Sequence, residues 1–153
     1  MQTNNLNLIY RGQAWVGFTF ADLPLDAALQ VACGQIDQAA DIARASIVND
    51  PLRALEHERA ASEARTFRQS GYSGETPPYV KAWAEAADLE PQAAADSILA
   101  KADAWDQVLL TIRGVRLKGK QEALKAITHN AAEIIADAAI AQIKGCVEAA
   151  DIA

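Results

Sequence analysis

Few residues of this chain have the types and spacing that chemistry needs. Gly71-Tyr-Ser-Gly74 comes nearest to a phosphate loop, but it lacks the lysine and the strand-to-helix setting with which such a loop holds phosphate oxygens. It reads as a turn. His57 and His129 are isolated, and Cys33 and Cys146 lie far apart without ligand-like neighbours, so no zinc-ligand spacing is present. The two cysteines read as free thiols in a reducing compartment, one or both buried as small apolar residues. Glu56, Glu58 and Glu63 stand in a well-charged stretch and read as solvated, whereas carboxylates that share acid–base work need burial to separate their pKa values. Arg113, Arg116, Lys118, Lys120 and Lys125 form a basic cluster that reads as the solvated end of a helix, with an anion site as the sharper alternative. Thr76-Pro77-Pro78-Tyr79 reads as a loop between helices rather than a polyproline ligand. The residues therefore predict no enzyme: no catalytic residue, no cofactor and no metal.

Composition narrows the class further. The 153 residues suit one domain. Alanine inflates the apolar fraction of 51%, and aromatics make up only 6%, which suits closely packed helices better than a bulky sheet sandwich. A formal charge of −6 argues against nucleic acid, because phosphate binding needs a basic footprint. Met-Gln-Thr-Asn-Asn has neither the charge nor the apolar run of a signal peptide, and no stretch is long and apolar enough for a bilayer, so the expectation is a soluble protein made in the cytoplasm with no membrane partner.

The elements that would position any site are organised around Phe67–Trp83. Gly71, Gly74 and the Pro77-Pro78 pair stop any helix there, and Phe67, Tyr72, Tyr79 and Trp83 make the corner a packing centre, with Tyr72 and Trp83 expected to be buried. Residues 6–20 read as β. Leu6, Leu8 and Tyr10 alternate in a first strand, Arg11-Gly12-Gln13 turns, and Val16, Phe18 and Phe20 alternate in a second. Such a hairpin is marginal alone, so it packs on the helices or pairs with another chain.

From Pro24, apolar residues recur at steps of four and three through Leu25, Leu29, Ala32, Ile36, Ala39, Ala43 and Ile47, which predicts a long helix ended by Asn49-Asp50-Pro51. Asp50 is a fitting N-cap for a second helix over 51–69, and a short helix spans 78–87. Glu90-Pro91 opens another, whose stripe Ile98, Ala102, Trp105, Leu109 and Ile112 should pack lengthwise on the first. Gly114 and Gly119 mark a break that would end it near Leu117, unless it continues into Gln121–Val147 as one rod. The fold class predicted is mainly α, a bundle of long amphipathic helices with an N-terminal β arm over 1–22 and one helical domain over 23–153, the segment from about 121 able to serve oligomerisation.

Asp50-Pro51-Leu52-Arg53, Glu63-Ala-Arg-Thr-Phe67, Gly71-Tyr72, Thr76-Pro77-Pro78, Trp83-Ala84, Ala93-Ala94-Ala95-Asp96-Ser-Ile98-Leu99 and Ile112-Arg113 through Arg116-Leu117 follow one another in an order that resembles small helical proteins encoded beside tail-fibre and baseplate genes in tailed bacteriophages and prophages of proteobacteria. The resemblance covers about Gln35 to Lys125. It implies a non-enzymatic structural component of the virion tail, at the tail tip, baseplate or fibre attachment, or alternatively an assembly chaperone for a fibre or receptor-binding protein that is absent from the mature virion. The partners implied are tail or fibre proteins and further copies of the chain, a trimer being the form that matches threefold fibres. On this reading the aromatic arm, Trp15, Val16, Phe18 and Phe20, contacts the tail partner. Leu124, Ile127, Ile134, Ile135 and Ala138 form the oligomer interface.

Overall fold

The protein is mainly α, a helical bundle with a short N-terminal β hairpin. Its computed structural model describes residues 1–48 and 50–150. The elements run β1 (Leu6–Tyr10), β2 (Gln13–Phe18), a 3-10 turn at Phe20–Asp22, α1 (Leu25–Val48), α2 (Pro51–Gln69), α3 (Pro78–Ala87), α4 (Pro91–Ala123) and α5 (His129–Ala150). Asp50 caps α2 as expected, its Oδ1 accepting the Leu52 N–H at 2.8 Å with Pro51 in the first turn. Asn49, which the sequence assigns to the end of α1, lies outside the described residues. No helix among the described residues is long and apolar enough to cross a membrane. The chain gathers into two compact units, one of residues 1–46 with the chain from Leu109 onward, the other of Ile47–Val108.

In the first unit the hairpin lies antiparallel, β1 against β2, and its buried side chains Leu6 and Tyr10 join the core. The ends of the hairpin are tied down. Gln2 and Gln35 exchange two hydrogen bonds, the Gln2 N–H to Oε1 at 2.6 Å and the Gln35 amide to the Gln2 carbonyl at 2.8 Å, while the Phe20 N–H reaches the Thr3 carbonyl at 2.7 Å. The arm packs on its own helices, as one of its two expected arrangements has it. The core continues through Leu29, Ala32, Ile36 and Ala43 of α1, Ile112 of α4, and Ala132, Ala136, Ala139 and Ile143 of α5.

Gly114 and Gly119 do not break α4. Neither a stop near Leu117 nor a rod into Val147 occurs: the helix runs to Ala123, and Thr128 opens α5 by accepting the Ala131 N–H on Oγ1 at 3.1 Å. Gly119 is buried, and its missing side chain is what lets α5 come close. A helix stripe also divides here. The expected lengthwise packing on α1 holds at the end of α4, where Asp37 meets Arg116 and Lys120, but Ile98, Ala102 and Trp105 belong to the second unit.

That second unit is built around the corner. Ala64 and Phe67 of α2, Val80 and Ala84 of α3, and Ala94, Ala95 and Leu99 of α4 form one buried cluster, with Tyr72 and Ile98 packed against it. Tyr72 meets Phe67 edge-to-face at 5.6 Å and donates its hydroxyl to Asp96 Oδ1 at 2.6 Å, a bond that raises the phenol pKa above its ordinary value. Glu63 Oε2 accepts the Tyr79 N–H at 2.7 Å, satisfying a free donor in the first turn of α3. Trp83 departs from expectation. It is 47% exposed, because Val80 and Ala84 occupy the inward face of α3 and leave Tyr79 and Trp83, one turn apart, on the neighbouring face.

Candidate functional site

Gly17 decides which hairpin side chains face outward. Its φ of +76° suits glycine, and the pairing Leu6↔Phe18, Asn7↔Val16, Leu8↔Trp15 leaves it as an extra residue with nothing opposite. Its N–H donates instead to Asn7 Oδ1 at 2.9 Å. Strict alternation would set Val16, Phe18 and Phe20 on one face. The bulge moves Phe18 to the face of Trp15, where the two rings meet at 4.8 Å and are half-buried. Val16, 70% exposed, stands on the other face with Ile9. Phe20 cannot contact a partner. It is 2% exposed and packs edge-to-face on His129 at 5.9 Å, a residue whose Nε2 must carry the proton it gives to the Leu23 carbonyl at 2.9 Å. Phe20 is an anchor of the arm, not part of its surface.

On α5 the sequence stripe and the buried face are offset. Ala132, Ala136, Ala139 and Ile143 point inward, so Ile134 and Ala138 are exposed, Ile135 is half-buried, and Ile127 in the preceding turn is 85% exposed. At position 139 the inward residue is small because Ala139 faces Gly119, and helices that close admit nothing larger at that point. Leu124 is exposed as well, and Leu110 and Leu117 before it repeat at intervals of seven along α4. That heptad row was legible in the sequence, although the four-three stripe ending at Ile112 drew the eye away from it.

The basic cluster is only partly solvated. Arg116 Nη1 and Lys120 Nζ both grip Asp37, at 2.9 and 2.5 Å, while Lys118 pairs with Glu122. Burial works against the Asp37 charge, but hydrogen bonds from Lys120 and Arg116 and their charges outweigh it and hold the carboxyl below its ordinary range. Burial pushes the pKa of the nearby Cys33 thiol up, against the pull of Lys120. Arg116 and Lys120 are thereby committed to one carboxylate and are not free for an external anion. Among the described residues no three His, Cys, Asp or Glu side chains converge as a metal site would require.

In the second unit, α2, α3 and α4 enclose a cavity of about 450 Å³ that sequence reasoning missed. His57, read as isolated, meets Trp105 at 4.9 Å there. The only signal available was the spacing Tyr79–Trp83 and Ser97–Lys101–Trp105, which puts each set on one helix face. No protein-family model, curated protein or solved structure matches the chain.

Proposed function

We propose that this protein is a non-enzymatic structural component of a bacteriophage tail, an adaptor at the tail tip, baseplate or fibre attachment that acts through protein–protein interfaces and assembles with copies of itself. The tail setting rests on the sequence resemblance. The observation that carries the interface reading is the outward row on α5 and the turn before it, where Ile127 and Ile134 stand 85% and 60% exposed while the inward face is completed by alanines. Leu110, Leu117 and Leu124 add exposed apolar side chains along and just after α4, and exposed apolar surface of this kind suits a contact area. The outer face of the hairpin, with Ile9 and Val16, supplies a second surface for the tail partner. A trimer matches the threefold symmetry of fibres.

Mass spectrometry of purified virions tests the reading. Peptides of this chain at a fixed ratio to the fibre protein are the expected result. Their presence in the lysate and absence from virions would replace the adaptor by an assembly chaperone.

A further inference from the structure

Rings and small side chains together line the cavity of the second unit. Trp105 and His57 meet there edge-on at 4.9 Å, and Trp83 and Tyr79 of α3 line it with them. Trp83 is held in place although half its surface is in water: its Nε1 donates to Ser97 Oγ at 2.9 Å, and Ser97 is itself tied to the Ala94 carbonyl at 2.9 Å. An indole fixed by a hydrogen bond while its face stays wet is pre-organised to stack on something else. Ala60 of α2 and Ala102 of α4 also line it, both half-buried, and side chains this small leave the space between the helices open.

At about 450 Å³ the space falls within the roughly 300–1,000 Å³ range of small-molecule sites. Its rim carries one carboxylate, Glu56, and one ammonium, Lys101, and neither has an ion-pair or hydrogen-bond partner among the described residues. Most other charges of this unit are engaged, as Arg65 with Glu58 and Asp106 and Lys81 with Glu85 show.

We infer that this cavity is a binding site for a flat aromatic molecule of about two fused rings with a charged end, the rings stacking against the indoles that line it, Trp83 and Trp105, and the charge meeting Glu56 or Lys101. A pocket of this size lined by several rings offers flat faces to one planar group, whereas a helix laid in a groove needs several anchors spaced along it. The site stands apart from the tail reading, since its occupant is a small molecule and its residues lie in neither proposed protein interface.

Isothermal titration calorimetry of the full chain with 2-naphthylmethylamine and with 2-naphthylacetate tests it. Both should bind with submillimolar Kd, and Ala102→Phe, which fills the slot, should weaken both by about tenfold or more. Glu56→Gln should weaken only the ammonium compound and Lys101→Gln only the carboxylate. Ala60→Leu fills the same space from α2 and replaces Ala102→Phe should that variant fail to fold. Failure of both compounds to saturate, or binding unchanged by filling the slot, overturns the assignment. So does tighter binding of an acetylated pentapeptide amide bearing a central naphthylalanine, which would make the occupant a side chain of a protein partner.

Discussion

A Cβ on Gly119 would lie 2.6 Å from the Cβ of Ala139, and 3.5 Å from Cδ1 of Ile36, so α1, α4 and α5 meet where one residue has no side chain. Neither a methyl nor a helix backbone can swing aside. Gly119→Ala should therefore destabilise by about 1–3 kcal/mol, in spite of the better helix propensity of alanine. Gly114 is the control, because a Cβ there meets nothing within 4 Å. Gly114→Ala should stabilise by roughly 0.5–1 kcal/mol. Urea denaturation of both variants checks the pair, and shifts of the same sign would contradict the contact.

The two units make separate demands on their cores. Ile36 is fully buried, and Ile36→Ala should cost about 2–5 kcal/mol. Leu109 is only half-buried, so its truncation should cost less. In the second unit Phe67→Ala should cost about 3–5 kcal/mol. Trp83→Phe should leave stability nearly unchanged, since its ring lines a cavity and does not fill the cluster. Thermal and urea denaturation measure all four, and a large loss at Trp83 would put its ring in the core after all.

Asp37 predicts a pH dependence. Its carboxyl is held below the ordinary aspartate value by Lys120 and Arg116, so the stability it contributes is complete above that ordinary value, near pH 4, and is lost as pH falls through the lower folded value. Stability should therefore drop below about pH 4 more steeply in the native chain than in Asp37→Asn. The substitution should also destabilise at neutral pH, because Arg116 and Lys120 lose their common partner. Parallel curves for the two chains across the acid range would remove Asp37 from that role.

Self-association should depend on the outward row. Ile127→Asp or Ile134→Asp should dissociate the oligomer without loss of monomer stability, since both side chains are exposed in the single chain and a carboxylate buried in a seam would have no partner. Multi-angle light scattering reads the mass. A native chain that is monomeric at micromolar concentration removes the oligomer from the proposed function. The hairpin is separable from this: Val16→Ser should weaken attachment to the tail partner alone, whereas Phe20→Ser should destabilise the fold because Phe20 is core.

What the sequence determined by itself was the set of elements whose ends are set by neighbouring residues. Asp50-Pro51 starts α2, and Pro78 starts α3 where a missing N–H costs nothing. Alternation and a glycine turn marked both strands. Each is a local matter of backbone angles and nearby donors, so no distant contact was needed to read it. Tertiary structure decided which face of each element is inside. Gly17 shifts Phe18 to the face of Trp15 through a pairing the linear alternation cannot express, and Phe20 goes to the core against a histidine more than a hundred residues away. Gly119 looks like a helix break in sequence and is a helix contact in space. That closeness turns Ala132, Ala136 and Ala139 of α5 inward and leaves Ile134 outside. The cavity has the same origin: Ala60 and Ala102 are ordinary helix residues until three helices bring Trp83, Trp105 and His57 around them, because empty space belongs to a packing arrangement and to no single stretch of chain.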